Sequence, residues 1–380
     1  RTLKIAINTR LLLKDKLEGI GWFTYESVKR VVKSHPEHTF YFIFDRKYSD
    51  EFIFAENVIP VVVGPPARHP ILFYLWYEFS LPKVLKKIKP DVFISPDAFL
   101  SLSSEFNDLV VIHDLNFEHY PEHMSRIYRM FYRYFTPKYA LKATRIATVS
   151  EFSKNDIITQ YGIDSNKIDV LYNGSNDVFK VVSDKDKAQV KKKYTNEKDY
   201  FVFVGAFNPR KNLQNIFKAF DEFKVNDSRG IKFVVVGEKM YWNKEINESF
   251  ERMSFKDDVI FTGRLGPQDL SLVVGSSLAL VYTSYFEGFG IPIIEAFNSE
   301  VPVITSNVTA MPEIAGDAAL LVNPSNVKEI SSAMRSIVDD EELSLTLVEK
   351  GRKRRNEFSW EKTADRLWKS IMETVKNNQI

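Results

Sequence analysis

The chain of 380 residues contains no cysteine, which excludes disulfide bonds, thiolate nucleophiles and cysteine-ligated zinc. It also lacks any uncharged apolar run of about 18 residues, so the sequence predicts no membrane-spanning helix. The formal net charge of +2 is close to balance, whereas a nucleic-acid-binding domain is expected to be strongly basic. We therefore expect a globular protein that does not bind nucleic acid.

The first residues, RTLKIAINTR, lack the charged region and apolar stretch of a secretory signal. A strand-like pattern begins almost at the first residue. Together with the absence of cysteine, this predicts a cytoplasmic enzyme.

One segment departs from the overall charge balance. Between Glu122 and Glu151 there is no acidic residue, while basic and aromatic side chains alternate over residues 126–145. Such a segment could contact anionic lipid, or a lipid-diphosphate acceptor, at the inner face of a membrane. A helix with a buried aromatic face and a solvated basic face would show the same pattern. Both interpretations stay open at this point.

Short apolar segments alternate with longer amphipathic ones along the whole chain. The predicted strands lie at residues 3–8, 39–44, 58–63, 91–95, 109–114 and 145–150, and at 200–205, 231–237, 259–263, 278–284, 302–306 and 318–322. This alternation indicates parallel sheets connected by helices, because parallel strands need crossover connections. It occurs twice, so the sequence predicts an α/β protein with two domains.

The boundary between the predicted domains follows the turn signal Asn173-Gly174. We place the first domain at residues 1–175 and the second at 176–360. The polar segment after the turn is predicted to be a linker, and its Asp184-Lys185-Asp186 triplet fits a solvated charge run better than a metal site. Residues 361–380 are predicted to form one amphipathic helix.

Arg210 and Lys211 follow the strand at 200–205, at the point where a helix is expected to begin. Fixed cations beside the free amides of a helix N-terminus can bind a diphosphate. Cations usually favour the other end of a helix, so their position here indicates an anion. The alternative is an ordinary solvated pair at a helix start.

The stretch SYFEGFGIPIIEAF contains two acids, Glu287 and Glu295, with a glycine loop and a helix start between them. Gly288 and Gly290 let the backbone approach a ligand closely, and Pro292 suits the first helical turn. Two carboxylates could accept hydrogen bonds from the hydroxyls of two sugar rings. Alternatively, they are surface acids that interact favourably with the helix dipole.

Two features of the first domain are less specific. His113 ends an apolar strand, where its imidazole could bind a ligand or serve a structural role, and all six histidines lie at or before residue 123. Gly19 and Gly21 lie in the loop before a helix expected to begin near Trp22. A Gly-x-Gly pair alone is a weak indicator of phosphate binding.

Taken together, these segments resemble the retaining glycosyltransferases of family 4. The most specific match is the E-x7-E pattern of Glu287 and Glu295, and the other matching segments are GIGWFT, VIHDL, TVSEFSKNDI, Asn-Gly at 173–174 and FVGAFNPRKN. Asn298-Ser299-Glu300 and Ser175-Asn176-Asp177 depart from the usual pattern and weaken any assignment to a subfamily. The resemblance implies the GT-B fold, in which two Rossmann-like domains face each other and the last helix returns to the first domain.

The resemblance also implies a role for each matching residue. Glu287 would contact the donor sugar and Glu295 the ribose, Arg210 and Lys211 would neutralise the departing diphosphate, and His113 would contact the transferred sugar. The other donor contacts are implied at Gly288, Phe289, Gly290, Ile291, Gly205, Gly263, Arg264, Leu265, Gly19 and Gly21.

The implied reaction is the transfer of a hexose, with retention, from a nucleotide diphosphate sugar to a glycan or lipid-linked acceptor in polysaccharide biosynthesis such as that of lipopolysaccharide. No metal and no cofactor is expected. GDP-mannose is favoured because NTRLLL and GIGWFT resemble bacterial mannosyltransferases of surface-polysaccharide assembly. UDP-linked glucose, galactose or N-acetylhexosamine is the alternative donor. A catalytically inactive nucleotide-sugar-binding protein, an epimerase and a phosphorylase are the competing functions.

Overall fold

The computed structural model describes residues 1–376. The chain forms two compact units, which divide between Asn173 and Gly174 and again between Ser359 and Trp360. Unit 1 contains the N-terminal segment and the C-terminal helix, and unit 2 contains the residues between them. The end of the predicted last helix, residues 377–380, lies outside the described residues.

The centre of unit 1 is a parallel sheet of seven strands. They are β1 (Lys4–Asn8), β2 (Thr39–Phe44), β3 (Val58–Val62), β4 (Val92–Ser95), β5 (Asp108–Val111), β6 (Arg145–Thr148) and β7 (Ile168–Val170). Their order across the sheet is β3-β2-β1-β4-β5-β6-β7. The six predicted strands are confirmed. Strand β7 was missed, because an edge strand of three residues is too short to show a periodicity.

Six helices of unit 1 precede the boundary. They are α1 (Gly19–Ser34), α2 (Pro70–Leu75), α3 (Leu81–Ile88), α4 (Asn116–His119), α5 (Arg126–Lys142) and α6 (Glu151–Tyr161). A π-helical turn, Trp76–Ser80, joins α2 to α3. The prediction that α1 begins near Trp22 was wrong. The Trp22 amide already donates to the Glu18 carbonyl at 2.8 Å, so both glycines lie in the first helical turn.

Unit 2 is built on a parallel sheet of six strands. They are β8 (Tyr200–Val204), β9 (Lys232–Val236), β10 (Val259–Gly263), β11 (Ala279–Tyr282), β12 (Val303–Ser306) and β13 (Leu320–Val322). Their order is β10-β9-β8-β11-β12-β13. All six predicted strands are confirmed. Central parallel strands are buried on both faces and therefore consist of nearly continuous apolar residues, which made them easy to locate.

Eight helices connect and flank the strands of unit 2. They are α7 (Asp184–Thr195), α8 (Leu213–Lys224), α9 (Lys244–Glu251), α10 (Pro267–Gly275), α11 (Ile291–Asn298), α12 (Met311–Ala315), α13 (Val327–Asp339) and α14 (Glu341–Arg354). The prediction of a linker after the domain boundary was wrong where α7 forms. Ser183 caps this helix by accepting from the Asp186 amide at 3.1 Å. Its acids lie in the first turn and its lysines in the last, which matches the helix dipole.

The last helix, α15 (Trp360–Lys376), belongs to unit 1, as predicted. It packs on α1. Trp368 stacks on His35 with ring centroids 3.6 Å apart. The Arg30 guanidinium donates to Glu361 at 2.8 Å. The apolar side of this amphipathic helix is thereby buried against the domain that begins the chain.

In both sheets the strand order reverses at one point, between β1 and β4 in unit 1 and between β8 and β11 in unit 2. Open parallel sheets bind ligands outside the carboxyl ends of the strands at such a switch point. In unit 2 the two loops at this position contain the Arg210-Lys211 pair and Glu287.

Candidate functional site

The loops after β8 and β11 bring two cations onto one carboxylate. Lys211 Nζ lies 2.6 Å from Glu287 Oε1, and Arg210 Nη1 lies 3.1 Å from Glu287 Oε2. Only 14% of the Lys211 side chain and 17% of the Arg210 side chain are exposed. These residues are therefore not a solvated surface pair, and both are held at the same carboxylate.

A short 3-10 turn, Pro209–Lys211, places the two cations. The Asn208 side chain caps it by accepting from the Arg210 amide at 2.9 Å. Asn212 follows in the left-handed conformation with φ of 63°, and its buried side chain donates to Thr283 O at 2.8 Å and to Pro324 O at 2.7 Å. Asn212 thereby ties the turn to the loop after β11. Sequence reasoning missed it, although an asparagine directly before a helix is a known signal for such a position.

Tyr282, the last residue of β11, is a second partner of Lys211. Its hydroxyl accepts a hydrogen bond from Lys211 Nζ at 2.8 Å, and the side chain is almost completely buried. Burial, together with the charge of Glu287, raises the pKa of Tyr282 well above its usual value. The phenol therefore stays neutral and holds the ammonium group in place. The sequence showed Tyr282 only as part of a buried strand.

Glu287 is ionised at neutral pH. Burial alone would raise its pKa, but Lys211 and Arg210 outweigh that effect and lower the pKa to about 2. The Glu287 amide donates to Thr309 Oγ1 at 3.2 Å, which fixes the loop at this residue. The site thus holds an ionised carboxylate between Arg210 and Lys211.

Glu295 is electrostatically the opposite of Glu287, although both belong to the same sequence motif. It lies inside α11, and burial raises its pKa to about 8. No hydrogen bond or ion pair to its carboxyl group is present among residues 1–376. Glu295 is therefore mostly protonated at neutral pH and can donate as well as accept, and its contact with the ribose stays a prediction.

The start of α11 shows why the motif contains glycine and proline. Gly290 precedes the helix with φ of +101°, a conformation that side chains other than glycine rarely adopt. Pro292 lies in the first helical turn, as predicted. Gly288, Phe289 and Gly290 are buried within unit 2, and the Phe289 ring packs on Phe358 at 5.7 Å.

The loops after β8, β9 and β10 are joined through their glycines. The Gly205 amide donates to Val236 O at 3.0 Å, and the Gly237 amide donates to Gly263 O at 3.1 Å. A Cβ at Gly237 would lie 1.9 Å from Gly205 O, so only glycine fits there. Gly237 was missed because a single glycine after a strand is common. Arg264 follows at the edge of the sheet and is exposed.

In unit 1, His113 follows β5, and one of its two ring nitrogens is hydrogen-bonded to the backbone. Its Nε2 atom donates to Pro96 O at 2.8 Å, and its ring packs edge-on against Phe23 at 4.9 Å. Burial lowers its pKa, so the imidazole is neutral and Nδ1 is its acceptor atom. One ring nitrogen thus has a structural role, and the contact with a transferred sugar stays a prediction.

The two N-terminal glycines differ in their surroundings. A Cβ at Gly21 would approach Leu11 O to 3.1 Å, so this glycine allows α1 to pack closely against the loop after β1. Gly19 has open space around it. The predicted contacts of both glycines with a donor stay predictions.

Within residues 1–376, no three or more histidine, aspartate or glutamate side chains are arranged to bind a metal ion. The expected metal independence stays a prediction. In the same part of the chain, no helix has both the length and the apolar character that crossing a membrane requires.

Two family models match the chain in succession. Residues 18–177 match the model described as Glycosyltransferase Family 4, and residues 184–354 match Glycosyl transferases group 1. The solved structure of HepE from Anabaena, in complex with UDP and glucose, is similar with a TM-score of 0.75 at 16% identity, over 97% of this chain and 99% of that one. The chain belongs to the GT-B glycosyltransferases. The predicted family and the fold of two Rossmann-like domains are confirmed, and retention of the anomeric configuration stays a prediction.

Other proteins similar to this glycosyltransferase are named for the O-antigen chain or for lipopolysaccharide biosynthesis. The O-antigen chain mannosyltransferase B of Escherichia coli is 24% identical over 92% of this chain and 94% of its own length. The O-antigen chain mannosyltransferase RfbU of Salmonella typhimurium is 28% identical over 76% of this chain and 78% of its own length. The structure of WaaG, a glycosyltransferase involved in lipopolysaccharide biosynthesis, has a TM-score of 0.73 at 14% identity, over 95% of this chain and 97% of that one.

Proposed function

We propose that this glycosyltransferase moves mannose from GDP-mannose to a hydroxyl of a glycan or lipid-linked acceptor in the synthesis of a bacterial surface polysaccharide. The observation that carries the proposal is the cluster of Arg210, Lys211 and Glu287 at the switch point of unit 2. Two cations held side by side suit the two phosphates of a nucleotide diphosphate. The choice of mannose is supported by the relatives, which are named mannosyltransferases of O-antigen chains.

In the proposed reaction, negative charge develops on the diphosphate as its bond to the sugar breaks. Arg210 and Lys211 stabilise that charge, and fixed donors of this kind are most effective where charge develops. Glu287 and Tyr282 hold the lysine in place before the donor arrives, at 2.6 and 2.8 Å. The cations therefore need little reorganisation when the diphosphate binds.

We propose that the anomeric configuration is retained by a reaction on one face of the sugar. A double displacement would need a carboxylate nucleophile beneath the anomeric carbon. Glu287 is unsuited to that role, because two cations hold its oxygens and lower its pKa to about 2. The departing phosphate instead helps to remove the proton from the acceptor hydroxyl.

The two cations supply the charge that a divalent metal would otherwise supply, so the proposed reaction is independent of metal. Glu295 binds the ribose of the nucleotide in this scheme. As a neutral acid it can donate to one ribose hydroxyl and accept from the other, which suits a pair of neighbouring hydroxyls. The cytoplasmic location stays a prediction, and a UDP-linked hexose or N-acetylhexosamine remains the alternative donor.

A donor screen tests the proposed function. The purified chain is incubated with GDP-mannose, UDP-glucose, UDP-galactose and UDP-N-acetylglucosamine, without acceptor and in the presence of EDTA, and nucleotide release is measured. GDP-mannose is expected to be hydrolysed fastest, and NMR of the first sugar product is expected to show the α configuration of the donor. Faster hydrolysis of a UDP-sugar would replace the donor assignment. Tight binding of a donor without any turnover would establish a binding protein instead.

A further inference from the structure

Exposed apolar side chains are concentrated on one surface of unit 1. Sixteen large hydrophobic side chains are exposed among the described residues. Four of them lie on α2 and the π-helical turn, namely Ile71, Tyr74, Leu75 and Phe79. Another four lie on α5, namely Ile127, Met130, Tyr134 and Leu141. We call these eight residues the α2–α5 patch.

The two halves of the patch are in contact. The Tyr74 ring lies 6.0 Å from both the Phe79 ring and the Phe135 ring, and Phe73 below it lies 5.6 Å from Phe131. On α5 the exposed residues recur at the spacing of one helix face. The patch is therefore one continuous apolar surface formed by two helices.

The exposure of the patch does not result from a loosely held helix. Between the exposed residues lie buried anchors: Trp76 donates to Val63 O at 2.7 Å, and Tyr77 donates to Asp97 at 2.8 Å. The Arg10 guanidinium lies 5.1 Å from the centre of the Phe73 ring. These buried contacts fix the helical segment from which the apolar side chains project into solvent.

The two chain segments that carry the patch are rich in basic residues and poor in acids. Residues 64–90 contain five lysines and arginines, and residues 123–150 contain six. The two segments contain one acid, Glu78, whose carboxylate accepts from the amides of Leu102 and Ser103 at 2.7 and 3.1 Å and so serves the fold.

Three of the eleven cations pair with acids elsewhere in unit 1: Arg133 with Glu118, Lys142 with Asp108 and Arg145 with Asp169. The other eight form no ion pair within residues 1–376. One of them, Lys138, extends along the patch and places its Nζ atom 3.4 Å from the centre of the Tyr134 ring. An apolar stripe bordered by unpaired cations is what an interfacial helix presents to a membrane.

We propose that the α2–α5 patch docks on an anionic lipid bilayer, with the exposed aliphatic and aromatic groups in the acyl boundary and the cations at the lipid phosphates. A surface bordered by cations complements an anionic leaflet, whereas the rim of a protein–protein interface usually contains charges of both signs. The proposed function supplies only the biological reason for docking, namely that it brings the enzyme to a lipid-linked acceptor. The binding itself depends on neither donor nor acceptor.

Vesicle co-sedimentation tests the proposal. The purified chain is mixed with phosphatidylcholine vesicles containing about 30% phosphatidylglycerol, or none, near physiological salt. Two double variants are compared with the native chain: Phe79→Ser with Met130→Ser removes apolar contact, and Lys83→Glu with Arg126→Glu reverses charge. Val225→Ser with Leu345→Ser is the matched control, because these residues are also exposed, at 67% and 64%, but lie in unit 2.

We expect the native chain and the control to bind anionic vesicles and to bind neutral ones weakly. Each patch variant should lower the partition coefficient about tenfold or more, since two interfacial side chains or two surface charges are changed. Equal binding of all variants, or no binding of the native chain, would overturn the proposal. The proposal would also be overturned if the native chain formed a dimer in lipid-free solution and the Phe79→Ser and Met130→Ser variant were a monomer. The patch would then be the contact between two copies of the chain.

A second measurement separates this proposal from the proposed function. Hydrolysis of GDP-mannose without vesicles should be the same in the native chain and in the patch variants, because none of these residues belongs to the donor site. Unchanged melting temperatures of the variants show that they are folded. Vesicle binding by a chain that hydrolyses no donor would support the docking surface and contradict the proposed function. Hydrolysis of GDP-mannose without vesicle binding would support the proposed function and contradict the docking surface.

Discussion

The two switch points of this protein have the same topology and use charge differently. In unit 1, one cation meets one anion: Arg10 pairs with Asp97, and their side chains are only 7% and 3% exposed. In unit 2, the two cations Arg210 and Lys211 share one carboxylate, Glu287. The buried pair of unit 1 serves the fold, whereas we propose that the two cations of unit 2 bind the diphosphate of the donor.

The neighbours of each charge cluster support this difference. Asp97 accepts from Ser95 at the end of β4, and the Tyr77 hydroxyl bonded to Asp97 also accepts from Asn8 at the end of β1. The unit 1 cluster is thus hydrogen-bonded to other buried side chains. In unit 2, Tyr282 and Asn212 position the cations without neutralising them.

The largest effect is expected when the buried pair of unit 1 is broken. Asp97→Ala leaves the Arg10 guanidinium buried without its counter-charge, which should lower the free energy of unfolding by about 3–5 kcal/mol. Urea denaturation measures the change. Glu105→Ala, at an exposed acid of the same unit, is the control and should change it by less than about 0.5 kcal/mol. A small effect of Asp97→Ala would show that the pair does not support the fold.

Breaking the cluster of unit 2 should affect turnover more than stability. Lys211→Ala removes a charge that acts on the leaving diphosphate, so kcat should fall about 10²- to 10³-fold. Arg210 still neutralises Glu287, so the melting temperature should change little. Lys218→Ala is the matched control, since Lys218 is an exposed lysine on the helix that follows. Near-normal kcat in the Lys211 variant would contradict the assignment of the leaving-group site.

The two acids of one motif should respond to pH in opposite directions. The pKa of Glu295 is raised in the folded chain, so its contribution to stability is present below about pH 4.5 and is lost as the pH rises towards 8. The pKa of Glu287 is lowered, so its contribution is present above about pH 4.5 and is lost as the pH falls towards 2.

Unfolding in urea across this pH range measures both effects. Glu295→Gln should flatten the decline in stability between about pH 4.5 and 8, because glutamine stays neutral in both states. Glu287→Gln should flatten the decline at acidic pH. Each unit of pKa difference corresponds to about 1.4 kcal/mol. If both variants changed the free energy of unfolding over the same pH range, the predicted electrostatic contrast between the two acids would be wrong.

The smallest effect is expected at the hydroxyl that holds Lys211. Tyr282→Phe removes one hydrogen bond to the ammonium group and should lower kcat about 2- to 12-fold while leaving KM nearly unchanged. Tyr200→Phe is the matched control, because its buried hydroxyl donates to Val273 O at 2.6 Å away from the donor site. The control should lower stability without lowering kcat. Equal kcat values for the two variants would show that Tyr282 has only a structural role.

Most of the fold could be predicted because buried parallel strands are read directly from apolar runs. The failures have local causes. The segment at 184–195 looked like a linker because its charges dominate its composition, yet a serine cap and a charge order matched to the dipole make it a helix. The start of α1 was placed three residues late because Gly19 and Gly21 were taken as loop residues, although a helical turn tolerates them.

The candidate site was predicted in part. Arg210, Lys211, Glu287 and Glu295 were found because cations at a helix start and acids around a glycine loop are unusual in sequence. Asn212 and Tyr282 were missed, since each matters only through a residue about 70 positions away. Gly237 was missed because a single glycine after a strand is common, and the atom that excludes a side chain there belongs to Gly205 on another loop.

The sequence by itself determined the two parallel sheets, the family and the set of charged residues at the carboxyl ends of the strands, because periodicity and local motifs carry that information. Only the tertiary structure decided that one acid of the motif is ionised and the other neutral. The charge state of a carboxyl group depends on its distance from cations and water, and these distances are set by chain segments far apart in sequence. Likewise, only the structure joined the basic-aromatic helix α5 to α2 and so turned an ambiguous pattern into a continuous exposed surface.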